Sequence, residues 1–346
     1  MHGGDIYDKE IDYDFSVSLN PLGPPKELMH ALSKAGINAA NYPDISSTRL
    51  RERLSEIIKC DQKYITMTAG ASEAFMSIVH ALRPEKGLVV SPSFYGYEHA
   101  LRANDADIIR ICEDQLFEEG IPSGLKEYNA DIIFIGNPNN PTGRMIEKDK
   151  LIEMIEAFEK AGSVTVIDEC FLPLSDGDDE SLTDIINKSI TDKLIIVRSF
   201  TKTFAIPGLR LGYMLCSSED MNSRLRSNLP EWNISVPAQV AGLAVLDEED
   251  CREWIYRSKE YILKEREYLR EGLKRLGFEV IKSKAPFLLF KGREGLKDEL
   301  IKQGILIRDC SDFDGLMEGC YRTGIRKHED NKAFLDILGK IAWQVK

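Results

Sequence analysis

The sequence predicts an α/β fold: a mainly parallel central sheet with helices on both faces, joined to a smaller α+β domain. Three observations carry that prediction. Short apolar runs alternate with segments of helical period through the middle of the chain. Each run is followed by turn-forming or small polar residues. Near Leu246-Asp247-Glu248-Glu249-Asp250 the character changes to a long charged helix followed by two further strand-like runs.

Taken in order, Gly87-Leu88-Val89-Val90, Asp131-Ile132-Ile133-Phe134-Ile135, Ser163-Val164-Thr165-Val166-Ile167 and Leu194-Ile195-Ile196-Val197 read as buried strands. They are near-continuously apolar, as strands covered on both faces must be. Between the second and third, Leu151-Ile152-Glu153-Met154-Ile155-Glu156-Ala157-Phe158 has the helical period. The charged helix that starts near residue 247 runs to about Leu276 and is ended by Gly277. Phe287-Leu288-Leu289-Phe290 and Ile305-Leu306-Ile307-Arg308 read as strands, and an amphipathic helix begins near Asp330. The expected organisation is an N-terminal segment, 1–30, that joins the small domain, a large domain over 31–245, and a small domain over 246–346.

The chain has 346 residues, 43% of them hydrophobic and 29% charged, ordinary values for a globular protein. A net charge of −12 argues against nucleic acid or an anionic membrane surface as the main partner. No stretch approaches the roughly 20 apolar residues of a membrane span. The opening Met1-His2-Gly3-Gly4-Asp5 lacks the basic and apolar parts of a signal peptide, so a cytoplasmic protein is expected. Seven cysteines without any CxxC pair fit reduced thiols, not a disulfide framework or a zinc site.

In open α/β sheets, ligands bind beyond the carboxyl ends of the strands. Lys202 follows such a strand, in Ser199-Phe200-Thr201-Lys202-Thr203-Phe204-Ala205-Ile206-Pro207-Gly208-Leu209-Arg210. Burial lowers a lysine's pKa and makes the neutral, nucleophilic amine accessible, as an aldehyde cofactor requires. The hydroxyls of Ser199 and Thr201 and the guanidinium of Arg210 are suited to a phosphate beside it. Thr68-Ala69-Gly70-Ala71-Ser72-Glu73 opens a helix with small residues that let an anion approach the backbone N–H groups, although an unliganded helix start has the same pattern. Asn137-Pro138-Asn139-Asn140-Pro141-Thr142-Gly143 is a rigid turn that aims Asn140 at a ligand or simply makes a good turn. Asp168 ends a strand; it either caps a helix or faces a pyridine nitrogen and keeps it protonated.

In chain order these elements resemble the fold type I pyridoxal-phosphate enzymes of the class I/II aminotransferase family, along essentially the whole chain. The resemblance implies the aspartate aminotransferase-like fold, with pyridoxal 5'-phosphate as cofactor and no metal. It makes Lys202 the Schiff-base lysine, pairs Asp168 with the ring nitrogen, bonds Asn140 to the ring oxygen and stacks Phe94 on the ring. Ala71, Ser72, Ser199, Thr201 and Arg210 would hold the phosphate. Tyr42, in Asn41-Tyr42-Pro43-Asp44, matches a tyrosine that reaches the neighbouring subunit's phosphate, which implies a homodimer with shared active sites. One position departs from the family: Phe171 stands where many members carry a Tyr whose hydroxyl bonds the ring oxygen.

Arg322 matches the family's carboxylate-binding arginine, and Arg326, four residues on, is expected on the same strand face. His2-Gly3-Gly4-Asp5, the run Asp14–Pro24 with Asn20, and Arg308-Asp309-Cys310-Ser311-Asp312-Phe313 together resemble the threonine-phosphate decarboxylases of cobalamin biosynthesis. By that resemblance His2, Asn20, Arg308, Arg322 and Arg326 would surround a small phosphorylated amino acid. The implied reaction is decarboxylation of L-threonine O-3-phosphate to (R)-1-amino-2-propanol O-2-phosphate. The alternative is an aminotransferase acting on histidinol phosphate or a related amino acid.

Overall fold

The computed structural model describes residues 3–343 apart from 37–39, 123, 178–179, 189 and 248. A seven-stranded sheet is built from β2 (Ile65–Thr68), β3 (Lys86–Ser91), β4 (Asp107–Cys112), β5 (Ile132–Gly136), β6 (Val164–Asp168), β7 (Leu194–Ser199) and β8 (Gly212–Cys216), after a short β1 (Tyr13–Asp14) that belongs elsewhere. The strand order is β2-β8-β7-β6-β5-β3-β4. Strands β4, β3, β5, β6 and β7 are paired in parallel, and only β8 runs against its neighbours.

The apolar runs are continuous because each strand serves two cores. Ile133 and Ile135 of β5 pack with Leu194 and Ile196 of β7 on one face, while Ile132 and Phe134 pack with Ile195 and Val197 on the other. The helix Lys148–Lys160 buries Leu151, Met154, Ile155 and Phe158, the three-and-four spacing that covers one face of the sheet. Ala71–Leu82 covers the other face through Ala74, Phe75 and Ile78.

The C-terminal part forms a four-stranded antiparallel sheet from β9 (Glu279–Val280), β10 (Phe287–Lys291), β12 (Arg308–Asp309) and β13 (Cys320–Gly324), ordered β12-β13-β10-β9. The expected strand Ile305–Arg308 is in fact two. Its first half, β11 (Ile305–Leu306), pairs in parallel with β1; its second half turns to pair with β13. The long helix Glu249–Arg275 and the last helix, His328–Trp343, pack on this sheet. Phe15 enters the same core, stacked on Phe334 at 4.7 Å. No helix among the described residues is long and apolar enough to cross a membrane.

Candidate active site

Strand direction brings the predicted groups to one edge of the sheet. The parallel strands end there at Ser91, Gly136, Asp168 and Ser199, with Gly136 opposite Asp168 and Asp168 opposite Val197. The antiparallel β8 starts at this edge, and its Gly212 lies between Thr68 of β2 and Ser199 of β7. That reversal delivers Arg210, just before β8, to the helix that opens after β2. A Cβ on Gly212 would come within 3.1 Å of the Gly70 Cα, so the close approach requires glycine.

A cavity of about 240 Å³ opens at this edge, sized for a small molecule rather than a polymer. Ala71, Ser72, Phe94, Asn140, Asp168, Ser199, Thr201, Lys202, Arg210, Arg308 and Arg322 all line it. Phe171 and Phe313 contribute apolar wall.

Lys202 lies in the single helical turn Phe200–Thr203 that follows β7, capped by Ser199, whose Oγ accepts from the Thr201 N–H at 3.1 Å. Its ammonium is 5.7 Å from the Phe171 ring centroid. Burial, reinforced by the positive charge of Arg322, brings its pKa down to about 8. The neutral amine, the form that attacks an aldehyde, is therefore reached at a much lower pH than for an ordinary lysine.

Asp168 accepts from the Tyr97 hydroxyl at 2.7 Å through Oδ2 and from the Cys170 N–H at 2.9 Å through Oδ1. Burial raises its pKa, and the Cys170 and Tyr97 hydrogen bonds and the Lys202 charge oppose that rise. Tyr97 is a site residue that the sequence did not announce. It stands three residues after Phe94, so one helical turn puts both rings on one side, 5.6 Å apart and edge to face. Its ring also stacks on Phe134 at 5.3 Å.

Arg322 is 8% exposed. Its Nη1 donates to Asn140 Oδ1 and its Nη2 to the Ser16 carbonyl at 2.9 Å. The guanidinium lies 5.2 Å from the Phe287 ring. Burial lowers its pKa to about 10, which leaves it cationic at neutral pH. Asn140 is held by a turn whose neighbours are themselves tied down. The Asn139 amide donates at 2.8 Å to both the Pro92 carbonyl and the buried Glu113 carboxylate.

Two of the residues expected at the cavity, Asn20 and Arg326, are placed otherwise. Asn20 is buried behind Lys202: its N–H donates to the Lys202 carbonyl at 3.0 Å and its amide to the Thr203 carbonyl at 2.9 Å. It therefore fastens the lysine turn and does not line the cavity. Arg326 also lies outside the cavity lining, because β13 ends at Gly324 and the strand alternation stops with it. Its guanidinium instead pairs with Asp330, in the first turn of the last helix, at 3.4 Å. Tyr42 is 82% exposed and rests against Trp232 at 5.0 Å, away from the cavity of its own chain. His2 lies outside the described residues, although the adjacent Gly3 lines the cavity.

The residues fit a phosphate-bearing ring. Thr201 Oγ1 is buried and has no protein partner, a state that an anion's oxygen would relieve. Gly70 has φ +82°, and a Cβ there would come within 2.7 Å of Arg210 Nη2, so the helix start and the guanidinium share one small space. The helix Ala71–Leu82 has no side-chain cap at Gly70, leaving its first N–H groups directed at that space.

The family model "Aminotransferase class I and II" matches residues 10–338. The chain belongs to this family. Class I and II aminotransferases are pyridoxal-phosphate enzymes, and pyridoxal 5'-phosphate is the cofactor of this one. Among curated relatives, a Caldanaerobacter subterraneus subsp. tengcongensis protein named "Putative threonine-phosphate decarboxylase" is 31% identical, over 97% of this chain and 92% of that protein. The histidinol-phosphate aminotransferase of Methanothermobacter thermautotrophicus is 29% identical over 93% of this chain and 87% of its own length. The solved histidinol-phosphate aminotransferase of Clostridium acetobutylicum superposes with a TM-score of 0.85 at 29% identity, covering 95% of this chain and 99% of that one. Relatives of both activities thus stand at similar distance.

Proposed function

We propose that the protein decarboxylates L-threonine O-3-phosphate to (R)-1-amino-2-propanol O-2-phosphate. The observation that carries this reading is the juxtaposition of Arg308 and Arg322, opposite each other in the β12–β13 pair and both on the wall of the Lys202 cavity. Two guanidiniums beside one nucleophile suit a small substrate with both a carboxylate and a phosphate. Pyridoxal phosphate, when bound, supplies the electron sink for the pair left on Cα as a bond to it breaks. Arg210, Thr201, Ser199 and the first turn of Ala71–Leu82 would hold the cofactor's phosphate, and Phe94 and Asn140 would contact its ring. Asp168, whose ionised form the Tyr97 and Cys170 hydrogen bonds favour against its burial, would hold a proton on the ring nitrogen. Arg322 takes the substrate carboxylate, and Lys202, with its lowered pKa, delivers the proton to Cα. The exposed cluster of Tyr42, Ile45 and Trp232 supports a homodimer in which Tyr42 reaches the partner's site.

The competing reading, transamination of histidinol phosphate or a related amino acid, is favoured by the Methanothermobacter relative. It needs the same cofactor contacts but requires Lys202 to remove the Cα proton and a keto acid to accept the amine. Incubation of the loaded enzyme with threonine phosphate, following carbon dioxide and the amine, separates them. Product without an added keto acid is expected; strict dependence on 2-oxoglutarate would overturn the proposal.

A further inference from the structure

Arg308 and Arg322 face each other across an antiparallel pair, an arrangement in which like charges repel. Arg322 meets only neutral acceptors, Asn140 through Nη1 and the Ser16 carbonyl through Nη2, and its buried Nε has no protein partner. Arg308 is compensated differently. Its Nη2 donates to both oxygens of Asp312, at 2.8 and 2.9 Å, while Nη1 donates to the Asp309 carbonyl. Its guanidinium also lies 5.1 Å from the Phe313 ring. The Arg308 side chain is 11% exposed and that of Asp312 is 41% exposed. Arg308 lines the Lys202 cavity, whereas Asp312 lines the adjoining one. The guanidinium therefore stands in the wall between them, with a carboxylate already on it.

We propose that Asp312 occupies Arg308 in the place of the substrate's phosphate and is displaced by it, so that this carboxylate sets specificity for a doubly charged side-chain anion. The inference rests on the proposed reaction in assigning the phosphate to Arg308. An arginine fork engages one bidentate anion well, so a ligand must offer more than the carboxylate it displaces. A phosphate dianion does; a hydroxyl or a single carboxylate does not. The surrounding loop stays anchored during the exchange. Ser91 Oγ donates to the Asp314 carbonyl at 2.8 Å and to its Oδ2 at 2.7 Å, and Arg110 Nε lies 3.6 Å from the same carboxylate. Asp314 is thus held independently of the Asp312–Arg308 pair.

The test is calorimetric titration of the cofactor-loaded enzyme with inorganic phosphate at constant ionic strength, on wild type, D312N, D312S, R308Q and the R308Q/D312N double variant. Removing a partly exposed competing carboxylate is expected to tighten phosphate binding by about 5- to 20-fold in D312N and D312S. In the R308Q background D312N should change affinity by less than about twofold, since the two residues act as a unit. Phosphate binding in D312N and D312S no tighter than in wild type, including no measurable binding, would overturn the inference. So would a gain that persists undiminished without Arg308, which would mark a general field effect. Turnover is read separately: tighter phosphate binding without decarboxylation of threonine phosphate removes the proposed reaction and leaves the role of Asp312 standing. Decarboxylation with unchanged phosphate binding does the reverse.

Discussion

Replacing Lys202 by Met removes an amine that the fold holds in an unfavourable place, and the cofactor-free protein is expected to become more stable for it at neutral pH. The unfolded lysine keeps its proton to about 10.5, whereas the folded one releases it at about 8 because of burial and the charge of Arg322. Below pH 8 both states are protonated and the folded state bears the whole penalty. Between 8 and 10.5 the unfolded chain binds more protons, so stability rises with pH across that window and the penalty disappears above it. From 10.5 and about 8, the penalty is about 3 kcal/mol. Urea unfolding of cofactor-stripped wild type and K202M, from pH 6.5 to 10.5, reads the difference directly. K202M should lead by about 3 kcal/mol at pH 7 and lose that lead as pH rises past 8. Packing of the methionine adds an offset that does not vary with pH, and the thiols and tyrosines common to both proteins cancel to first order. Parallel curves for the two proteins across the whole range would refute the reasoning.

Three further outcomes are expected. Tyr97→Phe removes the 2.7 Å bond to Asp168; at about 1.5–3 kcal/mol for a bond to a charged group, kcat/KM should fall roughly 10- to 100-fold. That bond favours the ionised carboxylate, so the acid limb of the pH–rate profile should move to higher pH; an unmoved limb counts against Asp168 as the nitrogen's partner. Gly70→Ala drives a Cβ to 2.7 Å from Arg210 Nη2 at a φ of +82° and should weaken cofactor binding about tenfold or more in a spectroscopic titration. Unchanged affinity would show that Arg210 and the helix start do not share the phosphate. Glu169→Gln breaks the buried pair in which Arg198 Nε and Nη2 reach one oxygen at 2.8 and 2.7 Å. It should cost about 3–5 kcal/mol in urea unfolding, and a loss below about 1 kcal/mol would contradict burial of that pair.

Much of the site was legible because strand ends are local events. An apolar run that stops at Asp168 or Ser199 declares where backbone leaves the core, and the chemistry sits in the next few residues. Residues whose roles depend on where an element stops were harder to place. The strand alternation that would carry Arg326 to the cavity ends two residues before it, at Gly324. The apolar pattern of Ile305–Arg308 is unbroken, yet two partners divide it into two strands. Tyr97 carried no signal beyond its spacing from Phe94, since a tyrosine on a helix face is usually only packing.

Reading along the chain was enough for the α/β architecture and the cofactor family. The architecture follows from hydrophobic period and turn chemistry, which act within a few residues of one another, whereas the cofactor follows from the family resemblance of the motifs. Tertiary structure decided which charges meet. The reversal of β8 brings Arg210 to Gly70, β12–β13 pairing sets Arg308 against Arg322, and Asn20 closes behind Lys202 across the chain. Electrostatic interaction depends on distance in space and on exclusion of water, and sequence separation encodes neither. The lowered pKa of Lys202 and the carboxylate already seated on Arg308 are therefore properties of the folded protein alone.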